Sequence, residues 1–284
     1  MRFFDFHPLT LIVYFASVIV FTMITMNPVM LLLSFCGAFL STALITKKRG
    51  FISYLIIFAV ICITNPIFSH NGETELFYIF DQRVTLESFV YGIGAGLLIV
   101  STLYWFSLFS YVFTEDKLVW LIGKISPKLC VVFCMTLRFI PLFKENASNI
   151  YNAQLSMGIF ETNTFKGKLK LITNVFSALI SISVENAIET ADTMSSRGFG
   201  GKKRSSYSLF CMSKQDVFFI FISLLLDLLV IINLLSGEGV FYYYPALHFE
   251  GFSVLYVIFA VLCQLPVLNE LTEEIKWKYL ISKI

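Results

Sequence analysis

Apolar positions in this chain fall into runs long enough to cross a lipid bilayer, broken by short polar turns and by one long segment of different character. Six runs read as transmembrane helices: about 9–26, 28–46, 51–68, 88–113, 217–235 and 251–268. Each has roughly the 17–25 residues that span a hydrocarbon core. Asn27-Pro28 predicts a tight turn between the first two runs, and Lys47-Lys48-Arg49-Gly50 separates the second from the third.

Between residues 114 and 214 the pattern changes from continuous apolar runs to helical periodicity with interspersed charge. Three helices fit it, over about 116–125, 126–158 and 165–197. The second opens at Ser126-Pro127, where proline suits a first turn, and Pro141 inside it is expected to bend it. In the third, Ile172, Val175, Phe176, Leu179, Ile180, Ile188 and Met194 recur at helical spacing. Ser177, Ser181, Ser183, Ala187, Ala191 and Ser195 add a stripe of small residues along which another helix could approach closely. Neither long helix is expected to be a seventh span. The apolar stretch 130–143 is interrupted by Arg138 and runs on into Lys144, Glu145 and Asn146, and a charge at mid-bilayer costs about 2.5–3.5 kcal/mol. Both are expected at or below the interface, partly buried against each other.

Composition supports a membrane protein: 57% of the 284 residues are hydrophobic and 14% are charged, where soluble domains run nearer half and a quarter. The opening MRFFDFHPLT leads into a full-length apolar run without a small-residue cleavage site, so it is expected to enter the first span rather than a cleaved signal. Charge placement orients the chain. With Lys47, Lys48 and Arg49 inside, both termini and residues 114–214 are inside too, and Arg83 is the one basic residue left outside. The external loops then hold Glu73, Glu75, Asp81, Glu87, Glu238 and Glu250. The expected organisation is four N-terminal spans (1–113), an internal helical region (114–214) and two C-terminal spans (215–284).

Candidate chemistry is sparse. No GxxxxGK[ST] loop occurs, so the chain carries no ATPase of its own. The six cysteines lie in or beside apolar runs and read as small buried hydrophobes, and His7, His70 and His248 are scattered near span ends, so no metal or other cofactor is expected on this chain. Glu185, Glu189 and Asp192 share a helix face that reads as solvated rather than catalytic. Gly92 and Gly96 read as close helix packing, not a dinucleotide loop. Asp227 lies inside a span, and the sequence leaves open a helix–helix hydrogen bond, a proton site or a lumen-facing group. Arg138 reads as snorkelling to headgroups or pairing with Glu145 or Glu185. At the end of the third helix, Gly198 is placed to stop it in the left-handed region, and Arg197 suits the negative end of the helix dipole. That end needs no partner, but an arginine at an ordered tip also suits a carboxylate or carbonyl pocket on another protein. Lys202, Lys203 and Arg204, just beyond, read as an anchor near lipid headgroups.

Thr136-Leu137-Arg138-Phe139-Ile140-Pro141, then Ala153-Gln154, then ADTMSSRGFGG from Ala191 to Gly201, then Lys202, Lys203, Arg204 and Tyr207 form an ordered set. Over about 131–207 this set resembles the T component of energy-coupling factor (ECF) transporters, the CbiQ/EcfT family. The family's hallmark is an Ala-Arg-Gly-like triplet at the end of each of two long coupling helices. Here the second is Ser196-Arg197-Gly198, and the first falls at Ser156-Met157-Gly158, where methionine replaces arginine.

The resemblance implies an all-α, polytopic membrane protein with about six transmembrane helices and two long crossed cytoplasmic coupling helices. It implies that Ser196, Arg197, Gly198, Ser156, Met157, Gly158, Ala153 and Gln154 dock a pair of ATP-binding-cassette ATPases. Arg138, Pro141, Ala187 and Ala191 shape the helices or their crossing. ATP and Mg²⁺ would sit on those partners, and a separate substrate-binding S component would release a vitamin or transition-metal ion inside a prokaryotic cell. Membrane lipid is the remaining partner, and no nucleic acid is implied. An integral-membrane enzyme would need converging polar groups at membrane depth, and a stand-alone secondary transporter would show internal repeats and broken helices; neither pattern is evident.

Overall fold

A computed structural model describes residues 3–46, 51–69, 72–79, 82–158, 164–200, 210–244, 248–249, 251 and 253–282. After a short 3-10 turn at Phe3–Asp5, the helices are α1 (Pro8–Ile24), α2 (Pro28–Ile45), α3 (Phe51–Phe68), α4 (Leu86–Val112), α5 (Glu115–Ile125), α6 (Pro127–Ser156), α7 (Phe165–Ser196), α8 (Lys214–Leu235) and α9 (Val254–Ile281). The fold is all-α apart from two small antiparallel ribbons, β1 (Glu75–Ile79) with β2 (Gln82–Thr85) and β3 (Phe241–Tyr242) with β4 (His248–Phe249).

The sequence did not predict the ribbons, because each strand is at most a few residues long inside a loop. It also ended the last span near 268, whereas α9 continues to Ile281. The added turns are amphipathic and charged, so they extend the helix without extending the apolar run. Five helices, α2, α4, α7, α8 and α9, are long and apolar enough to cross a membrane by length and composition; α1 and the described part of α3 are apolar but shorter.

The chain divides into two compact units, residues 1–118 with 210–284 and residues 119–209. In the first unit α4 packs on α1, α2 and α3, while α9 packs on α2 and α8, and α1 also meets α8. In lipid there is little hydrophobic drive between helices, so close approach and buried polar bonds must hold them together. Both are present. A Cβ added at Gly37 of α2 would lie 2.8 Å from Cys263 Cβ and 2.9 Å from its carbonyl oxygen on α9. Gly92 and Gly96 of α4 approach α3 at Asn65, Cys62 and Phe58, the close packing their spacing predicts. Tyr14 donates to the Leu262 carbonyl at 3.0 Å, and Trp105 Nε1 donates to Ser34 Oγ at 3.0 Å. Phe3, Phe6, Tyr14, Phe15 and Phe219 form an edge-to-face and tilted aromatic cluster around the first of these.

Two polar knots fix the chain near its start. Asp216 is fully buried; its Oδ1 accepts from the His7 amide at 2.8 Å while its Oδ2 accepts from the Ser213 amide, closing a capping box on α8. Lys117 of α5 is 2% exposed and donates to the carbonyls of Phe4 and Val112, the latter an otherwise unfilled acceptor at the end of α4. Burial pushes the Lys117 ammonium down to about 8, against the upward pull of Asp5.

In the second unit α6 and α7 pack against each other. Pro141 lies inside an unbroken α6. The covered face of α7 is Leu171, Val175, the adjacent Ala178 and Leu179, Ser183, Asn186, Thr190 and Met194, all buried or half-buried and recurring every three or four residues. This differs from the stripe read from sequence: of its small residues Ser183 is half-buried, while Ala187 and Ala191 are exposed. The stripe actually covered lies one residue earlier, and its Asn186 and Thr190 are polar.

Candidate functional site

The two long helices end in the same local structure. Ser156 and Ser196 are the last helical residues of α6 and α7. Each hydroxyl donates back one turn, Ser156 Oγ to the Asn152 carbonyl at 2.9 Å and Ser196 Oγ to the Asp192 carbonyl at 2.8 Å. Met157 and Arg197 follow as the capping residues, with amides donating to Ala153 and Thr193, each at 3.1 Å. Gly158 and Gly198 then take left-handed conformations, φ 66° and φ 76°. Their amides reach back to Leu155 and Ser195 at 3.2 and 2.9 Å.

At the second tip the motif is complete, because the Phe199 amide donates to the Met194 carbonyl at 2.9 Å. Sequence reading placed the glycines but missed the serine ties and Phe199. The signal was available: a hydrophobic residue directly after the capping glycine accompanies this motif. The motif alone does not mark a function, since Gly237 and Glu238 end α8 with the same pair of bonds.

What sets the α6 and α7 tips apart is what they present. Arg197 is exposed, and among the described residues no carboxylate pairs with its guanidinium. Met157 is 60% exposed in the matching position of α6. A Cβ added at either glycine would meet nothing within 4 Å. Ala153 is exposed, whereas Gln154 is half-buried with Oε1 shielded from solvent and unpartnered among the described residues. The structure therefore groups Ala153, Ser156, Met157 and Gly158 on one exposed tip and Ser196, Arg197 and Gly198 on the other, and turns Gln154 inward.

Other candidates resolve more plainly. Arg138 is exposed, and among the described residues no ion pair joins it to Glu145 or Glu185. Glu185, Glu189 and Asp192 are exposed on α7. Among the described residues no group of three or more His, Cys, Asp or Glu side chains is placed to hold a metal ion. Asp227 is 6% exposed within α8, and its Oδ1 has no hydrogen-bond partner among the described residues. Lys47, Lys48, Arg49, His70, Asp81, Lys202, Lys203, Arg204, Tyr207 and Glu250 lie outside the described residues.

The CbiQ family model, described as cobalt transport protein, matches residues 6–207. An uncharacterised protein of Mycoplasma genitalium is 32% identical over 113 residues, which is 38% of this chain and 27% of that relative. The energy-coupling factor transporter transmembrane protein EcfT of Bacillus subtilis is 29% identical over 110 residues, 38% of this chain and 40% of that protein. EcfT of Lactobacillus helveticus is 29% identical over 110 residues, 36% of this chain and 40% of that protein. The chain thus matches well under half the length of these relatives. Since the family match covers residues 6–207, from α1 through both long helices, the chain belongs to the CbiQ family of membrane transport proteins.

Proposed function

We propose that this chain is the T component of an ECF-type ABC importer. It transmits the motion of two ATPase subunits to a membrane-embedded S component that takes up a vitamin or transition-metal ion. The observation that carries the reading is the pair of matched, exposed Ser-X-Gly tips, one of them holding out Arg197. A planar guanidinium on a capped helix end is a preorganised donor for a carboxylate or carbonyl pocket. The names of the EcfT relatives support the assignment to an energy-coupling factor transporter. In this reading residues 1–113 and 215–284 form the membrane part, residues 114–214 form the coupling region, and both termini face the cytoplasm of a prokaryotic cell. ATP and Mg²⁺ are bound by the partner subunits, and this chain performs mechanical rather than chemical work. Differential contacts of the tips with two ATPase states would bias the long helices.

The test is co-purification of the ATPase pair with the full chain from mild detergent. Arg197→Glu is expected to abolish it and Arg197→Lys to weaken it, with membrane insertion unchanged. Full retention of the ATPases by Arg197→Glu refutes the docking assignment.

A further inference from the structure

A groove of about 420 Å³ runs between α8 and α9, at the end where α8 starts and α9 finishes. Its two walls carry the same gradient of polarity. Along α8 the sequence of side chains is Lys214, Phe218, Ile222; along α9, read in the same spatial direction, it is Lys276, Thr272, Leu268, Leu265. At 1.5 Å per residue these ladders are about 12 and 16 Å long. Phe6 and Phe219, 2% and 8% exposed, form the apolar floor. Phe218 and Leu268 are left 67% and 48% exposed on the rims.

The mouth is cationic. Lys214 and Lys276 face one acid, Glu273, which pairs with Lys276 at 2.9 Å; Gln215, Asn269 and Thr272 supply neutral hydrogen-bonding groups. Both helices are long and apolar enough to cross a bilayer, and the cleft lies at the charged end of their apolar runs, where a spanning pair would meet the headgroups of a leaflet.

We propose that the α8–α9 groove binds one anionic phospholipid of the adjoining leaflet. Its phosphate sits between Lys214 and Lys276, and the upper part of an acyl chain lies on Phe218, Ile222, Leu265 and Leu268. A soluble anion would use the mouth and leave the apolar walls bare. A zwitterionic lipid would fill the walls and gain less from the net positive mouth. Basic pockets between membrane helices suit anionic headgroups for this reason.

The experiment is native mass spectrometry of the full chain in mild detergent, titrated with phosphatidylglycerol or with phosphatidylcholine. The expected result is one preferentially retained phosphatidylglycerol. Lys214→Gln and Lys276→Gln should each lower its occupancy constant about fivefold. Lys278→Gln, also on α9 but outside the groove, should leave it unchanged. Leu268→Trp, which fills the walls with both lysines intact, should lower the binding of both lipids. Because these side chains are exposed or half-exposed, the variants are expected to fold. Equal binding of the two lipids overturns the proposal, as does an unaffected Lys214→Gln/Lys276→Gln double variant. Displacement by millimolar inorganic phosphate shows a headgroup-only anion site and overturns it too. So does a cross-link from Leu268→Cys to a partner subunit in the assembled complex, which would make the groove a protein interface.

Discussion

Consider an alanine at Gly198. The residue holds φ 76°, and a Cβ there would meet nothing within 4 Å. Gly198→Ala therefore loses no contact and creates no clash. What it adds is the backbone penalty of the left-handed region, about 1–2 kcal/mol, which is roughly a five- to thirtyfold increase in the population of the opened cap. Asparagine tolerates this region better than alanine, and β-branched residues tolerate it worse. The readout is hydrogen exchange of the end of α7, where the Gly198 and Phe199 amides each bond back into the helix at 2.9 Å. Exchange should accelerate in the order Gly, Asn, Ala, Val, with the thermal stability of the whole protein unchanged because no span is touched. If the docking reading is right, ATPase binding weakens in the same order. Alanine exchanging like glycine refutes the capped tip itself. Exchange following the order while ATPase binding stays flat refutes the link between cap conformation and docking.

Gly37→Ala sets two effects against each other: alanine gains about 1 kcal/mol of helix propensity, while contact with the Cys263 backbone at 2.9 Å cannot relax cheaply and overpacking costs about 1–3 kcal/mol. Net destabilisation is expected as a lower melting temperature in detergent, and a stabilised variant would show that α2 and α9 are further apart. Lys117 predicts a pH effect: with its folded pKa pushed down to about 8 from 10.5, the folded state binds fewer protons than the unfolded one between those values. Stability of the wild type relative to Lys117→Gln should therefore rise from pH 8 towards 10.5, and a flat or falling difference in thermal melts contradicts the burial. Met157→Arg should leave protein stability within about 0.5 kcal/mol, since the side chain is 60% exposed, and should retain or strengthen ATPase co-purification; loss of assembly means the first tip docks through an apolar contact.

The spans were legible because a bilayer demands long apolar runs, and α2, α3 and α8 match their predicted runs closely. The tips were legible because glycine after a polar small residue at the end of a periodic stretch has few other uses. The rest depended on partners far away in the chain. Asn27 was read as a turn residue before Pro28, yet its Nδ2 also donates to the Gly239 carbonyl at 3.0 Å and to Tyr256 Oη at 2.9 Å. Asp216 was unremarked, and its partner His7 is 209 positions away. On α7 two adjacent stripes both run at helical spacing, one of small residues and one mixed. Periodicity selects a stripe width, not a phase, so the choice of Asn186 and Thr190 over Ala187 and Ala191 belongs to α6.

The same limit bears on α7 as a whole, which has the length and apolar content of a span. Its charges weigh against a crossing. Lys166, Lys168 and Lys170 precede the uncharged run 171–184, and Glu185, Glu189 and Asp192 follow it. At 1.5 Å per residue that run is about 21 Å long, short of the ~30 Å hydrocarbon core. By the same measure α2, uncharged over all of its 18 residues, reaches about 27 Å. Crossing lipid would bury at least one acid of α7 or one lysine, at up to about 3 kcal/mol each. Yet Ile172, Phe176, Ile180, Val184 and Ile188 are 48–62% exposed along it. An apolar face this long on so charged a helix calls for cover, by lipid or by another protein. In the proposed coupling role, that face is one a partner would cover.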